Sequence, residues 1–534
     1  MTSTTGLIDA AQSGRSFWEL LVARAAATPD ALLALDERGQ QVTFAEYRDR
    51  AEAVAAGLAD RGIKEGSIVV WQLPTWIESF VLMGALVRLG ATQVPLIPSY
   101  RAREVSFIVR QTGAELFVVP SPWKKFDYPD MARTIAGEVD GLDVLVVDAE
   151  KRALPTGDPT RLAPVPSSPV AAEDFPVRWV YFTSGTTASP KGTRHTDATL
   201  FGAVAGMLAM LEPGPGDRSS MVFPFAHIGG VVWLLTSFVC GSAHLMVESF
   251  NAETTIPMLA ANGVTLAGTG TPFNLAYLQA QRELTASSPG ARLFPRVRGF
   301  MSGAAPKPPT LHADLRDELG GTGILSSYGM TEAPIVTFCG PHASEAHRAS
   351  TEGKASPGVD LKVLAADGTP AQPGESGEIR LKGPQLCRGY FDTALNEDAF
   401  DEDGYIKTGD LGTLDGEGFL TIVGRLKDVI IRNGENISAK EIEDLLFAHP
   451  AVRDVAVIGL PDPRVGERCC AVVALDESKG AFGFEDMVTY LKSHDLMVQK
   501  LPEQLEILDA IPRNVSGKVL KEQLRKQFSA TSSS

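Results

Sequence analysis

The sequence predicts an α/β fold divided into several subdomains, and three observations carry that reading. The first is size, since 534 residues exceed what one hydrophobic core organises and imply two to four domains or subdomains. The second is an alternation of short apolar runs with stretches of helical periodicity, the pattern of a parallel sheet with crossover helices. The third is a change of texture near Gly353, after which short strands are punctuated by Gly, Pro and Asp turns as in a small antiparallel barrel or sheet.

The elements follow in order. Thr43-Phe-Ala-Glu46 is a capping box, a hydroxyl with a carboxylate three residues on, and it opens a helix carrying Tyr47, Ala51, Val54, Ala55 and Leu58 at helical spacing before Gly62. Ser67–Leu73 reads as a strand, Ile77–Leu89 as a helix, and Leu116–Pro120 and Val144–Val147 as further strands. Leu154–Pro176 is Pro-rich and aperiodic, a connector. The alternation then resumes to about Ala333, and Leu361–Leu364 and Gly377–Lys382 read as strands in the Gly/Pro-punctuated region. A final unit starts near Arg425, with a second capping box at Ser438-Ala-Lys-Glu441, a helix holding Ile442, Leu445 and Leu446, strands at Val455–Ile458 and Cys470–Leu475, and a frayed tail from Ser529.

Composition excludes several functions. Hydrophobic residues at 44% and charged residues at 21% describe a globular chain rather than a disordered one. With 49 Lys+Arg against 65 Asp+Glu the formal charge is −16, which argues against nucleic acid as a partner while leaving room for anionic ligands in a local nest of N–H donors. Five cysteines without a C-x-x-C pair, two of them adjacent, form neither a disulfide framework nor a zinc site, and point to thiols in a reducing compartment, the cytoplasm. The first residues lack the basic and apolar regions of a signal peptide. Ser219–Val247 has no Asp, Glu, Lys or Arg, but Pro224 and three glycines interrupt it, so it reads as buried strand, turn and helix rather than a membrane span.

The chemistry concentrates in a few segments. In Tyr181-Phe-Thr-Ser-Gly-Thr-Thr-Ala-Ser-Pro-Lys-Gly192 an apolar strand runs into Thr183, Ser184, Gly185, Thr186 and Thr187, whose N–H and O–H donors can wrap phosphate oxygens, and Lys191 adds a positive charge. The order Lys-Gly is not the Walker pattern. Ser326-Ser-Tyr-Gly-Met-Thr-Glu332 offers an aromatic face and a hard carboxylate, and Met301-Ser-Gly-Ala-Ala-Pro306 is a run of small residues.

Together these segments resemble, in order and over about Phe17 to Lys526, the signatures of the adenylate-forming superfamily, which comprises acyl-CoA synthetases, peptide-synthetase adenylation domains and firefly luciferase; the texture from Trp71 to Asp130 is similar to its fatty and alicyclic acid–CoA ligases. The resemblance implies a large N-terminal domain, 1–424, of two α/β subdomains (about 1–175 and 176–335) and a small β-barrel (336–424), with a mobile α+β C-terminal domain, 425–534. It implies that the 183–187 loop and Lys191 bind the phosphates of ATP, that Gly303, Ala304 and Ala305 lie along the adenine, that Tyr328 packs on its ring, that Thr331 contacts the α-phosphate and that Glu332 holds Mg²⁺. Asp410 in Tyr405-Ile-Lys-Thr-Gly-Asp-Leu411 and Arg425 in Gly424-Arg-Leu-Lys-Asp428 take the ribose side, Lys427 is the hinge, and Gly434 faces the coenzyme A channel. Lys518 in Ile511-Pro-Arg-Asn-Val-Ser-Gly-Lys518 is the lysine of the adenylation step. Departures occur at Ala188, at Ser326 where the family carries Asn or Gln, and at Asn514 and Ser516.

For the acyl group, Phe223-Pro-Phe-Ala-His-Ile-Gly-Gly230 aligns with one pocket wall, giving His227, Gly229, Gly230 and Val231 as lining candidates, the glycines leaving room for a bulky acid. Met221–Val247 lacks the aspartate that pairs with an amino acid substrate's ammonium, so an uncharged acyl tail is expected. The implied reaction joins a fatty, alicyclic or other uncharged-tail acid to coenzyme A through an acyl-adenylate. Loading of a carrier protein and a non-catalytic nucleotide-binding role are the alternatives, and the reading leaves a homodimer and peripheral membrane contact open.

Overall fold

The structure is a computed structural model that describes residues 16–165, 171–183, 190–303, 307, 310–432, 435–462, 464–514 and 517–529. It is an α/β protein, as the alternation requires. The local signals act where they were read. Thr43 caps the helix Phe44–Ala59 with both halves of its capping box. A helix spans Ile77–Leu89 and ends at left-handed Gly90. Leu116–Pro120 is a fully buried strand.

Two sheets form the large part of the molecule. One has six strands in the order Asp143–Val147, Leu116–Pro120, Ile68–Trp71, Thr92–Pro95, Val177–Thr183 and Lys191–Thr196, parallel except for the last. The other has nine, running Lys354–Ala355, Ala333–Phe338, Ile324–Met330, Gly299–Ser302, Leu266–Gly268, Arg218–Met221, Ala243–Met246, Leu32–Asp36 and Gln41–Thr43, parallel inside and antiparallel at its edges. The sheets therefore cross the expected divide near residue 175. Leu32–Asp36 pairs with Ala243–Met246 next to the edge of the nine-stranded sheet, while Val177–Thr183 and Lys191–Thr196 complete the six-stranded one. One buried cluster, from Phe17 through Trp71, Phe80 and Phe225 to Phe238, unites helices lying between the sheets. The helix Ile228–Cys240 is buried on nearly every side, which is why its sequence shows no polar face. Among the described residues no helix is long and apolar enough to cross a membrane.

The Gly/Pro-punctuated region is a four-stranded antiparallel meander, Asp360–Leu364, Gly377–Lys382, Ile406–Leu414 and Leu420–Arg425. The short 3₁₀ turn Leu426–Asp428 connects it to the last unit. There Glu435–Ser438, Val429–Arg432, Gly466–Leu475 and Val452–Asp462 form an antiparallel sheet, with Gln504–Ile507 added in parallel. This sheet is covered on both faces. Helices Ala439–Phe447 and Phe484–Ser493 pack on Val455, Val457, Cys469 and Ala471. The helix Lys521–Ser529 packs Leu524 and Phe528 on Ala456, Ile458, Cys470 and Val472, each such side chain contributing roughly 1.5–3 kcal/mol. The adjacent cysteines 469 and 470 thus point to opposite faces, the period-2 alternation of a strand. All five cysteines are free and buried.

Candidate active site

Ligands of open α/β sheets collect at the carboxyl ends of parallel strands, and three signature segments lie there. Val177–Thr183 leads into the hydroxyl-rich loop, Gly299–Ser302 leads into Gly303, and Ile324–Met330 leads into Thr331 and Glu332. The loop joins two antiparallel strands, with Thr183 directly opposite Lys191. Ser184, Gly185, Thr186, Thr187, Ala304, Ala305 and Gly434 fall outside the described residues, as do Ala188 and Ser516. Thr331 and Glu332 are the two residues of a tight hairpin turn closed by the pair Met330–Ala333.

The cleft between the large part and the last unit measures about 2250 Å³, and its walls include Gly303, Tyr328, Asp410, Arg425, Lys427 and Lys518. Asp410 and Arg425 face each other on adjacent strands, and Arg425 Nε sits 2.7 Å from Asp410 Oδ1. The other carboxylate oxygen accepts the Tyr328 hydroxyl at 2.8 Å. Asp410 is buried with only 4% of its surface open, and the two partners fix the orientation of its carboxylate. Beyond its hydroxyl, Tyr328 is anchored in a cluster of Ala333 and Val336 of the nine-stranded sheet with Val363 and Ile379 of the meander.

Lys518 reaches this group from the small unit. Its tight loop is stapled from inside. Arg513 donates to both oxygens of Asp454 and, at 2.6 Å, to the Gly517 carbonyl, while the Lys518 N–H donates to Asn514 Oδ1 at 2.9 Å. Asn514 therefore works as a cap. Gly517 adopts φ +84°, and a Cβ there would lie 2.9 Å from Pro272 Cγ, so glycine allows the loop to seat against the large domain. Burial, then repulsion from Arg425 and Lys427, lowers the Lys518 pKa to about 8 against the pull of Asp410 and Asp428. Lys427 itself lies in the Leu426–Asp428 connection.

Glu332 is buried, and its Oε1 accepts the Tyr390 hydroxyl at 2.7 Å. Burial pushes its carboxyl up, while the Tyr390 hydroxyl and Lys191 pull it down. Among the described residues no cation lies within ion-pair distance of it, and no cluster of three or more His, Cys, Asp or Glu could cage a metal. A single buried carboxylate fits Mg²⁺, which binds through one or two carboxylates plus substrate phosphates rather than an all-protein cage. Next to it, the Thr331 carbonyl accepts His195 Nε2–H at 2.9 Å, and burial holds that imidazole neutral, with a pKa of about 4.

Ser326, which lines the cleft, is engaged by the protein itself. Its hydroxyl donates to the Thr351 carbonyl at 2.8 Å and accepts from Lys307 Nζ at 3.0 Å, which also donates to the carbonyls of Arg348 and Thr351. The serine and the lysine close a protein-internal knot beside the cleft.

The proposed acyl wall divides. His227 caps the helix Ile228–Cys240, accepting the Gly229 N–H on Nδ1 at 3.2 Å. Its ring sits edge-on to Phe223, and desolvation lowers its pKa to about 4. Gly229 lies beside it, against the Phe223 ring. Gly230 and Val231 are elsewhere. Val231 is wholly buried in the main core. A Cβ on Gly230 would stand 2.1 Å from the Phe225 carbonyl oxygen, so the absent side chain admits backbone, not substrate. Gly230→Ala is accordingly expected to destabilise the fold by about 3 kcal/mol, read as a lowered calorimetric unfolding temperature, whereas Gly229→Ala, with its nearest neighbours at 3.4 Å, should leave that temperature close to wild type.

Tyr390, His195 and Lys307 escaped the reading of the sequence. Tyr390 sits far along the chain from Glu332, and Gly389 before it marks only a turn. His195 and Lys307 act on backbone carbonyls, which leaves no trace in residue spacing.

The cleft thus joins a buried carboxylate and an arginine of the large part to a lysine delivered by a second unit. The chain belongs to the AMP-binding enzyme family: the family profile matches residues 21–391 and that of the AMP-binding enzyme C-terminal domain matches 441–518. Its place is in the acyl-CoA synthetase branch, among AMP-forming acid–thiol ligases. It is 30% identical to the medium-chain fatty-acid–CoA ligase of Escherichia coli K12 over 518 residues, 94% of this chain and 89% of that one. Among solved structures it is similar to ATP-bound MatB from Rhodopseudomonas palustris, with 27% identity, TM-score 0.84 and coverage of 96% and 99%. It is also similar to o-succinylbenzoate coenzyme A synthetase from Bacillus subtilis in complex with ATP and magnesium, with 28% identity, TM-score 0.78 and coverage of 96% and 99%.

Proposed function

We propose that this protein is an ATP- and Mg²⁺-dependent synthetase that activates a carboxylic acid with an uncharged tail, of fatty or alicyclic type, as its acyl-adenylate, and then passes the acyl group to coenzyme A with release of AMP. The observation that carries the reading is the meeting of Lys518, from the small unit, with Asp410 and Arg425 of the large one in a single cleft.

In the first step the substrate carboxylate attacks the α-phosphate and pyrophosphate leaves. Two anions must meet, so the barrier is set by charge and position. Asp410 takes the ribose hydroxyls and Tyr328 flanks the adenine. The 183–187 loop and Lys191 receive the phosphates, and Lys518 neutralises charge growing around the α-phosphate. Glu332 would hold a Mg²⁺ ion, which would add neutralisation of the phosphate charge. In the second step the Leu426–Asp428 connection, with Lys427, acts as the hinge on which the small domain withdraws Lys518 and brings Gly434 to the thiol channel; the thiol attacks the acyl carbon and AMP departs.

The tail preference rests on charge. No Asp, Glu, Lys or Arg occurs between Met221 and Val247, and His227 is held neutral. A charged tail would find no counter-ion along this wall. Five buried thiols suit a cytoplasmic enzyme.

The test is an assay of pyrophosphate and AMP release over a panel of straight-chain, alicyclic, aromatic and amino acids, with and without coenzyme A. Pyrophosphate release with uncharged-tail acids, and AMP release accelerated by coenzyme A, are expected. Turnover confined to amino acids or diacids overturns the tail assignment. Adenylate that forms but ignores coenzyme A overturns the acceptor in favour of a carrier protein.

A further inference from the structure

Tyr390 touches both Glu332 and Lys191. Its hydroxyl donates to Glu332 Oε1 at 2.7 Å, and its ring lies 5.6 Å from Lys191 Nζ, within cation–π range. The residue is fixed in place. Residues 388–391 run along the outer edge of the strand Lys191–Thr196, with Arg388 N–H to the Arg194 carbonyl at 2.7 Å, Arg194 N–H to the Gly389 carbonyl at 3.0 Å, Phe391 N–H to the Gly192 carbonyl at 2.7 Å and a bridge between Thr193 and Tyr390. The Tyr390 N–H donates to Asn396 Oδ1 at 2.8 Å, and only 4% of the side chain's surface is open. The Cys387 N–H donates to the Glu332 carbonyl at 2.8 Å, so the same segment also grips the backbone of the Thr331–Glu332 turn.

This arrangement settles a conflict. A lysine and a buried carboxylate in one site gain most by pairing with each other, and a close pair would occupy both: the ammonium would be lost to phosphate and the carboxylate to a cation. Lys191 does influence the charge of Glu332 through space, yet no ion pair joins them among the described residues. The aromatic ring offers the ammonium a weak resting place, worth about 0.5–2 kcal/mol, that a phosphate displaces readily. The hydroxyl turns one carboxylate oxygen with a donor that carries no charge.

We propose that Tyr390 is a positioning residue that keeps Lys191 and Glu332 apart and separately available, the lysine for the departing pyrophosphate and the carboxylate for a divalent cation. The proposal rests on the adenylation reading above and adds to it a residue that acts through two others.

Tyr390→Phe keeps the ring and removes the hydroxyl, while Tyr390→Leu removes both. Two readouts are needed. The first is binding of Mn²⁺, followed by its EPR signal, in the presence of α,β-methylene-ATP and without acid. The second compares the half-reactions, pyrophosphate release from acid and ATP against thioester formation from a supplied acyl-adenylate and coenzyme A. For Tyr390→Phe, cation affinity and pyrophosphate release are expected to fall about tenfold to a hundredfold, the worth of one hydrogen bond to a charged group, with thioester formation unchanged. Tyr390→Leu should fall further, and Lys191→Met placed on it should recover cation binding, because the released lysine no longer competes for Glu332. Unchanged Mn²⁺ binding in Tyr390→Phe overturns the proposal, and so does an equal fall of both half-reactions, which marks a general folding role. Equal effects of Phe and Leu overturn the separation of Lys191 from Glu332. If the wild-type protein released no pyrophosphate with any acid, the adenylation reading would fail, while the Mn²⁺ series would still decide the role of Tyr390.

Discussion

Lys518→Ala is expected to lower adenylate formation by about a hundredfold to a thousandfold, the usual cost of losing one preorganised charge or donor at a transition state, while a supplied acyl-adenylate is still converted to thioester at close to the wild-type rate. The asymmetry follows from where the lysine lies. It enters the cleft on the 513–518 loop, beside Asp410 and Arg425, where phosphate rather than thiol chemistry belongs. An equal fall of the two half-reactions would remove Lys518 from the role. The same residue predicts a pH profile. Burial and two neighbouring cations lower its pKa to about 8 in the free protein, so the ammonium is present below that value and lost as pH rises through it. Because kcat/KM reports the free enzyme, kcat/KM for ATP should decline above about pH 8, and kcat, measured with bound anionic nucleotide raising the pKa, should decline at higher pH. Lys518→Arg, charged throughout, should abolish the alkaline decline even if its rate is low.

Asp410→Asn should raise KM for ATP by about tenfold to a hundredfold, with a smaller effect on kcat, as measured by initial rates of pyrophosphate release. The substitution preserves shape but removes the charge that Arg425 Nε meets at 2.7 Å, and the amide keeps a single acceptor oxygen for the Arg425, Tyr328 and ribose donors. Hydrogen bonds to charged groups are each worth about 1.5–3 kcal/mol, and nucleotide and adenylate both depend on them, so uniform binding is what suffers. Tyr328→Phe should cost less, since Arg425 still holds the carboxylate. Equal losses from the two variants would mean that the Tyr328 hydroxyl, rather than the carboxylate charge, organises the ribose side.

Much of this was legible in the sequence, for physical reasons that differ by element. Capping at Thr43 and Ser438 acts through neighbours three residues away, so both helix starts could be read directly, although at Ser438 only the hydroxyl half of the expected capping box forms, the Glu441 carboxylate being held by Lys500. Buried parallel strands such as Leu116–Pro120 announce themselves as apolar runs. The family signatures carried the AMP-binding assignment. Pairing partners distant in the chain could not be read: nothing local to Leu32–Asp36 says that it joins Ala243–Met246, across the expected subdomain boundary near residue 175. Small residues were ambiguous as well. Gly229 and Gly230 look alike in sequence, yet one lies beside the His227 ring and the other admits a carbonyl oxygen. Positioning residues left least trace, since Tyr390, His195 and Lys307 work through partners that only the folded chain brings near.

The early strand's place in the nine-stranded sheet also orders events during synthesis. Ala34 lies opposite His244, so the Leu32–Asp36 segment leaves the ribosome about two hundred residues ahead of its parallel partner. At about 5–20 residues per second that interval is roughly ten to forty seconds. Throughout it the apolar run of Leu32–Leu35 has a hairpin partner in Gln41–Thr43 but no parallel neighbour. The nascent chain is thus a natural client for chaperones over that interval, until the parallel partner arrives and the sheet closes.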